Sequence, residues 1–327
     1  MYTRLIKKFL FNLFVGIGLV SSLMSTQSFA QDFPNRAIKI IVPYGAGGGS
    51  DILSRHLADR LSKRLGQSVI VENRPGADGI IGTTAVASAK PDGYTYLIAV
   101  DSHLLNPLLY KSLPYDTFKD LIGVTMVARS PYVFVTSSEF PAKNMNEFVS
   151  QVRSNPNKLS IANSEKYSLL VNQKLVDSEK LDAVHVPYKG SGPMMIDVTA
   201  GVVSMSPTSI LAATPYLQSG RMKAIGVTGD ERTPALPNVP TLKEQGFKDY
   251  DFYVTYGLYA PAGTPRNALD TMQRAIKEVV QTPEMVAIFA EKGAVPVAST
   301  VDEFNAHQKA YFLILKGLAE KFNLKSE

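Results

Sequence analysis

The sequence predicts an α/β protein built as two lobes around a hinge, and three observations carry that reading. From Ile38 onward, short β-branched segments alternate with amphipathic ones, the pattern of a sheet flanked by helices. The pattern restarts near Tyr132, after a proline-rich stretch. With 327 residues, 45% of them hydrophobic, the chain can furnish two core-forming units.

The first thirty residues stand apart from that pattern and read as a secretory signal. Arg4, Lys7 and Lys8 give a positive start, Phe9 to Val20 an apolar run, and Ser28 to Ala30 the small residues of a cleavage site. The run is short for a membrane span, which needs roughly twenty residues. Cleavage after Ala30 removes three of the 34 Lys+Arg residues and none of the 29 Asp+Glu, so the mature chain is close to neutral. No basic block interleaved with aromatics remains, so nucleic acid is not an expected partner. There is no cysteine, which rules out disulfides, thiolate metal sites and cysteine nucleophiles. Signal and composition together point to a periplasmic protein held by its core.

In the first half, "IKIIVPY" is a strand. "SDILSRHLADRLSKRLG" spaces Ile52, Leu53, Leu57, Leu61 and Leu65 as a helix, with Ser50 as its N-cap and Gly66 as its stop. "SVIVENR" and "YTYLIAV" read as strands around a helix in "GIIGTTAVASAK", followed by a connection through "NPLLYKSLPYDTFKD". In the second half, strands in "YVFVTSS", "KLSIANS", "AVHVPYKG", "VVSMSP" and "MKAIGVTG" alternate with helices in "NMNEFVSQVRSNP", "YSLLVNQKLVD", "PMMIDVTAG" and "ILAATPYLQSG". "VTYGLYAPAGTP" reads as a strand returning to the first lobe, with a helix starting at Thr264-Pro265. Two crossings make a hinge. The expected division is 1–30 signal peptide, 31–129 with 254–327 first lobe, and 130–253 second lobe.

The glycine cluster "PYGAGGGSD" raises three enzyme readings and fails each. A dinucleotide fingerprint lacks its third small residue at Ser50, a phosphate loop lacks its lysine, and a nucleophile elbow would need glycine where Ile52 stands. What remains is a strand end, a loop without bulk and a helix N-terminus, whose free N–H groups and dipole favour an anion. "ENRPGADGIIG", from Glu72 to Gly82, repeats the arrangement. Asp51 reads equally well as a helix-start residue. The four histidines, His56, His103, His185 and His307, show no metal-ligand spacing, and only His103 falls near a pocket rim. No cofactor and no metal are expected.

Long stretches now resemble one family. "IKIIVPYGAGGGSDILSRHLADRLSKRLGQSVIVENRPGADGIIGTTAVASAKPDGYTYLI", "SHLLNPLLYKSLPYD", "AVHVPYKGSGP", "TPALPNVPTLKEQGF" and "YGLYAPAGTP" resemble the Bug-type extracytoplasmic solute receptors of tripartite tricarboxylate transporters. The likeness runs in order along nearly the whole mature chain. It implies a periplasmic-binding-protein fold of the Venus flytrap, type II-like kind, each lobe a mixed sheet flanked by helices, with two hinge crossings. It also implies no enzymatic activity, a small carboxylate as ligand and membrane permease subunits as partners; a monomer is expected. Residue by residue, it places ligand contacts at Tyr44, Ala46, Gly47, Gly48, Ser50 and Asp51, in the loop at Asp78 to Gly82 including Ile80, and at Ser102 and His103. In the second lobe it places them at Asn163 to Ser168, notably Ser164, Tyr167 and Ser168, and at Thr208 and Ser209.

The departures from the family fall in this pocket. Asp101 stands where glycine is common, Asn163-Ser164-Glu165-Lys166-Tyr167-Ser168 replaces a Ser/Gly/Asn/Thr-rich turn, Thr208 replaces an aspartate, and Asp78 and Ile80 replace Gly and Asn. Asp101 is placed to accept from an amine and Lys166 to neutralise a carboxylate, which points to an amine-bearing carboxylate. The plainer reading leaves Glu165 and Lys166 solvated on the rim. Two rival functions are a receptor that presents its ligand to a membrane sensor, and an exported α/β hydrolase using Ser50 or Ser102 with His103. Asp101, Ser102 and His103 are consecutive, so on a strand end they cannot form a relay among themselves.

Overall fold

The structure, a computed structural model, describes residues 33–324. The signal peptide expected at 1–30 lies outside the described residues. The first lobe opens with β1 (Ile38–Val42), α1 (Gly49–Leu65), β2 (Val69–Asn73), α2 (Ile80–Ala87), β3 (Thr95–Ala99) and α3 (Ser102–Leu109). A 17-residue strand, β4 (Leu121–Ser137), then leaves it. The second lobe follows with α4 (Met145–Ser154), β5 (Ser160–Asn163), α5 (Lys166–Glu179), β6 (Val184–Pro187), α6 (Ser191–Thr199), β7 (Ser206–Ser209), α7 (Ile210–Gln218) and β8 (Met222–Val227). β9 (Tyr253–Pro261) returns, and α8 (Arg266–Val280), α9 (Pro283–Glu291), β10 (Val295–Pro296) and α10 (Val301–Lys321) complete the chain.

Strand order explains the two lobes. The first-lobe sheet runs β2-β1-β3-β9-β4-β10, with β1 parallel to β2 and β3 and the remaining pairs antiparallel. At roughly 3.3 Å per residue, β4 extends about 55 Å, long enough to serve both sheets. Residues 121–131 of β4 pair with β9, whereas 132–137 pair with β7 and β8. Ala162 N donates to Met205 O at 2.9 Å, which joins β5 and its parallel partner β6 beyond β7. The result is a two-lobed, mixed-sheet architecture with β4 and β9 as its crossings.

The local reasons are in the sequence. α1 buries Leu53, Leu57 and Leu61 at helical spacing against the sheet and ends at Gly66 in the left-handed conformation, φ 65°. Its N-cap is Gly48 rather than Ser50, which lies inside the first turn, its Oγ left for other work. The stretch read as a connection contains α3, because Pro107 sits near the end of an eight-residue helix and costs it few backbone bonds. The strand read in "VVSMSP" lies later, at Ser206–Ser209. Among the described residues no helix is long and apolar enough to cross a membrane.

Candidate functional site

A small cavity lies between the lobes. Its first-lobe wall is Tyr44, Gly48, Gly49, Ser50 and Val100, its second-lobe wall Ser164, Glu165, Gly190, Ser191, Thr208 and Ser209, and its floor Tyr132, Val254 and Tyr256 from the crossing strands. Four helices begin here: α1 after Gly48, α5 after Glu165, α6 after Gly190 and α7 after Ser209. Each brings the positive end of its dipole to the cavity, which favours negative charge; at α5 the N–H groups of Tyr167 and Ser168 are already taken, by Ser102 Oγ and Glu165 Oε1, and at α7 that of Ala212 is taken by Ser209 Oγ.

The first-lobe wall is a main-chain surface braced from behind. Asp51 Oδ2 accepts from Gly47 N at 2.9 Å and Asp51 Oδ1 accepts from Arg55 Nε at 3.0 Å. Burial alone would raise the Asp51 carboxyl, but Arg55 and the Gly47 N–H hold it below its ordinary value. The aspartate thus fixes the loop. The walls nearly touch: a Cβ on Gly48 would fall 2.7 Å from Ser191 Oγ, and one on Gly192 would collide with the Ala46 carbonyl oxygen. Gly45 N donates to Lys189 O at 3.2 Å across the same seam.

The second-lobe wall is a side-chain surface. Glu165 is the N-cap of α5, in a capping box with Ser168: Ser168 N donates to its Oε1 at 3.1 Å while Ser168 Oγ accepts from Glu165 N at 3.3 Å. Tyr132 Oη also donates to Oε1, at 3.1 Å, and Ser164 Oγ donates to Oε2. Glu165 is only 7% exposed, so the solvated-rim reading of this residue is overturned. Burial is the first cause of its raised pKa, which these donors partly offset. Lys166 is also buried, with Nζ 3.6 Å from the Asp78 carboxylate and above the Tyr110 ring. It bridges the lobes instead of standing on a rim.

Of the contacts read from the sequence, the structure brings Tyr44, Gly48, Ser50, Ser164, Thr208 and Ser209 to the cavity. Ala46, Gly47 and Asp51 support the loop behind or beside it. Ile80 opens α2 and packs on the core cluster of Ile41, Leu97 and Tyr259. Ser102 Oγ accepts from Tyr167 N at 3.0 Å, an interlobe bond that occupies both residues, and Ser168 is committed to the capping box. Asp101 lies below the wall, where Oδ2 accepts from Thr255 N at 2.9 Å; burial pushes its pKa up to about 7. His103 is 1% exposed, its ring against Tyr115 and Tyr259, and burial depresses it to about 4, so it is a neutral core residue. Tyr132, Tyr256 and Ser191 line the cavity without having been singled out, and Glu165, which falls within the expected contact segment Asn163 to Ser168 but reads more plainly as a solvated rim residue, lines it as well. The E-x-x-S spacing at a strand end, a capping box, was the available signal for Glu165.

Two lobes, two crossing strands and a cavity of helix N-termini between them define a solute-binding receptor. Residues 53–313 match the tripartite tricarboxylate transporter family receptor, and the chain belongs to that family. It is 32% identical to Protein BugT of Bordetella pertussis over 295 residues, 88% of this chain and 90% of that protein. Among solved structures it resembles the periplasmic binding protein BugD, with a TM-score of 0.86 at 30% identity over 90% of this chain and 100% of that one. It also resembles R. palustris Rpa4515 with adipate, with a TM-score of 0.87 at 27% identity over 90% of this chain and 100% of that one.

Proposed function

We propose that this chain is the periplasmic receptor of a tripartite tricarboxylate transporter, capturing a small carboxylate in the interlobe cavity and delivering it to the permease subunits. The observation that carries the ligand class is the convergence of four helix N-termini on one small cavity. The adipate in the Rpa4515 structure is consistent with it.

The mechanism is lobe closure. The ligand touches both walls only when they meet, so it shifts an open–closed equilibrium by its preference for the closed form. The lobe division falls at 129/130 and 253/254, inside the crossing strands. The receptor acts as a monomer, after cleavage of the 1–30 signal peptide. A hydrolase is disfavoured by the committed Ser102 hydroxyl and by His103, whose ring makes no hydrogen bond among the described residues. Whether the ligand also carries an amine turns on Glu165.

A thermal-shift screen of the mature protein against mono-, di- and tricarboxylates tests the reading. A carboxylate at a hundred times its dissociation constant adds about 2.7 kcal/mol of stability. Stabilisation by neutral solutes with none from any carboxylate would contradict it.

A further inference from the structure

Among the described residues that line the cavity Glu165 is the one charged side chain, and helix N-termini that favour an anion do not explain a carboxylate beside them. The lining residues include no Lys, Arg or His. Its three hydrogen-bond donors, Ser164 Oγ, Tyr132 Oη and Ser168 N, are all neutral. Ser168 N can only donate, and the start of α5 favours an anion, so these surroundings suit a carboxylate better than a carboxylic acid. Burial opposes that charge, and an adjacent cation would relieve the opposition.

A second observation points the same way. The Thr208 hydroxyl, in a residue 2% exposed on the same wall, has no hydrogen-bond partner among the described residues. The nearby charges are placed elsewhere: Asp101 takes Thr255 N beneath the wall, and Lys166 faces Asp78. A ligand offering carboxylate alone would bring negative charge to a buried negative group. An ammonium, with three donors and no acceptor, suits the remaining lone pairs of Glu165 and the Thr208 hydroxyl.

We infer that the cavity takes an amino-acid-like zwitterion, its ammonium held by Glu165 and Thr208 and its carboxylate by the N-terminus of α1 on the opposite wall. This rests on the receptor reading above and adds the amine and the residues that select it.

Calorimetric titration with matched pairs, alanine against propionate and aspartate against succinate, tests it on the wild type and on Glu165→Gln. The amino acid of at least one pair should bind the wild type about tenfold or more tightly than its deaminated partner, the worth of one charge-assisted bond. Glu165→Gln should abolish that preference. Equal or tighter binding of propionate and succinate to the wild type would overturn the inference and leave the carboxylate receptor standing. Failure of every member of both pairs to bind would count against the receptor reading as well. An amine preference that survives in Glu165→Gln would remove Glu165 from the role. If that variant does not fold, Thr208→Val, nearly the same shape, must weaken the amino acid more than its partner, and an equal effect on both overturns the assignment.

Discussion

The two walls of the cleft perform one task by opposite means. The first-lobe wall offers main chain from Gly48 to Ser50, with Asp51 and Arg55 bracing it from behind. The second-lobe wall offers side chains, Ser164, Glu165, Thr208 and Ser209, with a buried carboxylate among them. Backbone donors recognise any carboxylate and tolerate little change of shape, whereas side chains set which carboxylate is accepted. The contrast locates generic affinity in one lobe and selectivity in the other.

The largest expected effect comes from beneath the first wall. Asp101 has a folded-state pKa of about 7 against an ordinary 3.8, so the unfolded chain releases this proton more readily. Its contribution is therefore full below about pH 4 and is lost as pH rises through about 7, up to about 4 kcal/mol. Chemical denaturation across that range should show stability falling with pH, and Asp101→Asn should flatten the slope apart from the share due to Glu165, whose shift has the same sign. An unchanged slope in the variant would place the titration elsewhere.

Closure itself comes next. Gly192→Ala sets a Cβ against the Ala46 carbonyl without altering a cavity-lining residue, so it should lower affinity on the order of a hundredfold by depopulating the closed state, with small-angle scattering reporting a wider particle. Undiminished affinity would mean that ligand is held without the seam.

Ser102→Ala deletes the acceptor of Tyr167 N, an interlobe bond, and should cost about 1–2 kcal/mol of closure, near tenfold in affinity. Assayed with simple esters, the wild type should show no turnover that this variant abolishes; such turnover would revive the hydrolase. The smallest effect is expected for Asp51→Asn, which keeps the helix start but weakens the hold of Arg55 on the loop: about 1 kcal/mol or less in melting experiments and a similar loss for every carboxylate. A selective loss would move discrimination into the first wall.

The sequence made the first wall legible because its determinants are local: a strand, glycines and an amphipathic helix within thirty residues. The second wall was harder to read. Adjacent Glu165 and Lys166 look like a solvated turn until Tyr132, 33 residues earlier in the chain, meets one of them and Asp78 of the other lobe meets the other. The first half of β4 escaped for a related reason: bulges between Gly123 and Thr125 and between Met126 and Ala128 interrupt the two-residue alternation that marks a strand. His103 and Ile80 illustrate the converse, since resemblance places them at a pocket whose walls they support from the core.

The most direct test is a crystal structure of the mature protein with the carboxylate that stabilises it most. Closed lobes are expected, with a ligand carboxylate about 3 Å from backbone N–H groups at the start of α1, between Gly48 and Ser50. A ligand bound outside the interlobe cavity, or one whose carboxylate points away from these N–H groups, would contradict it.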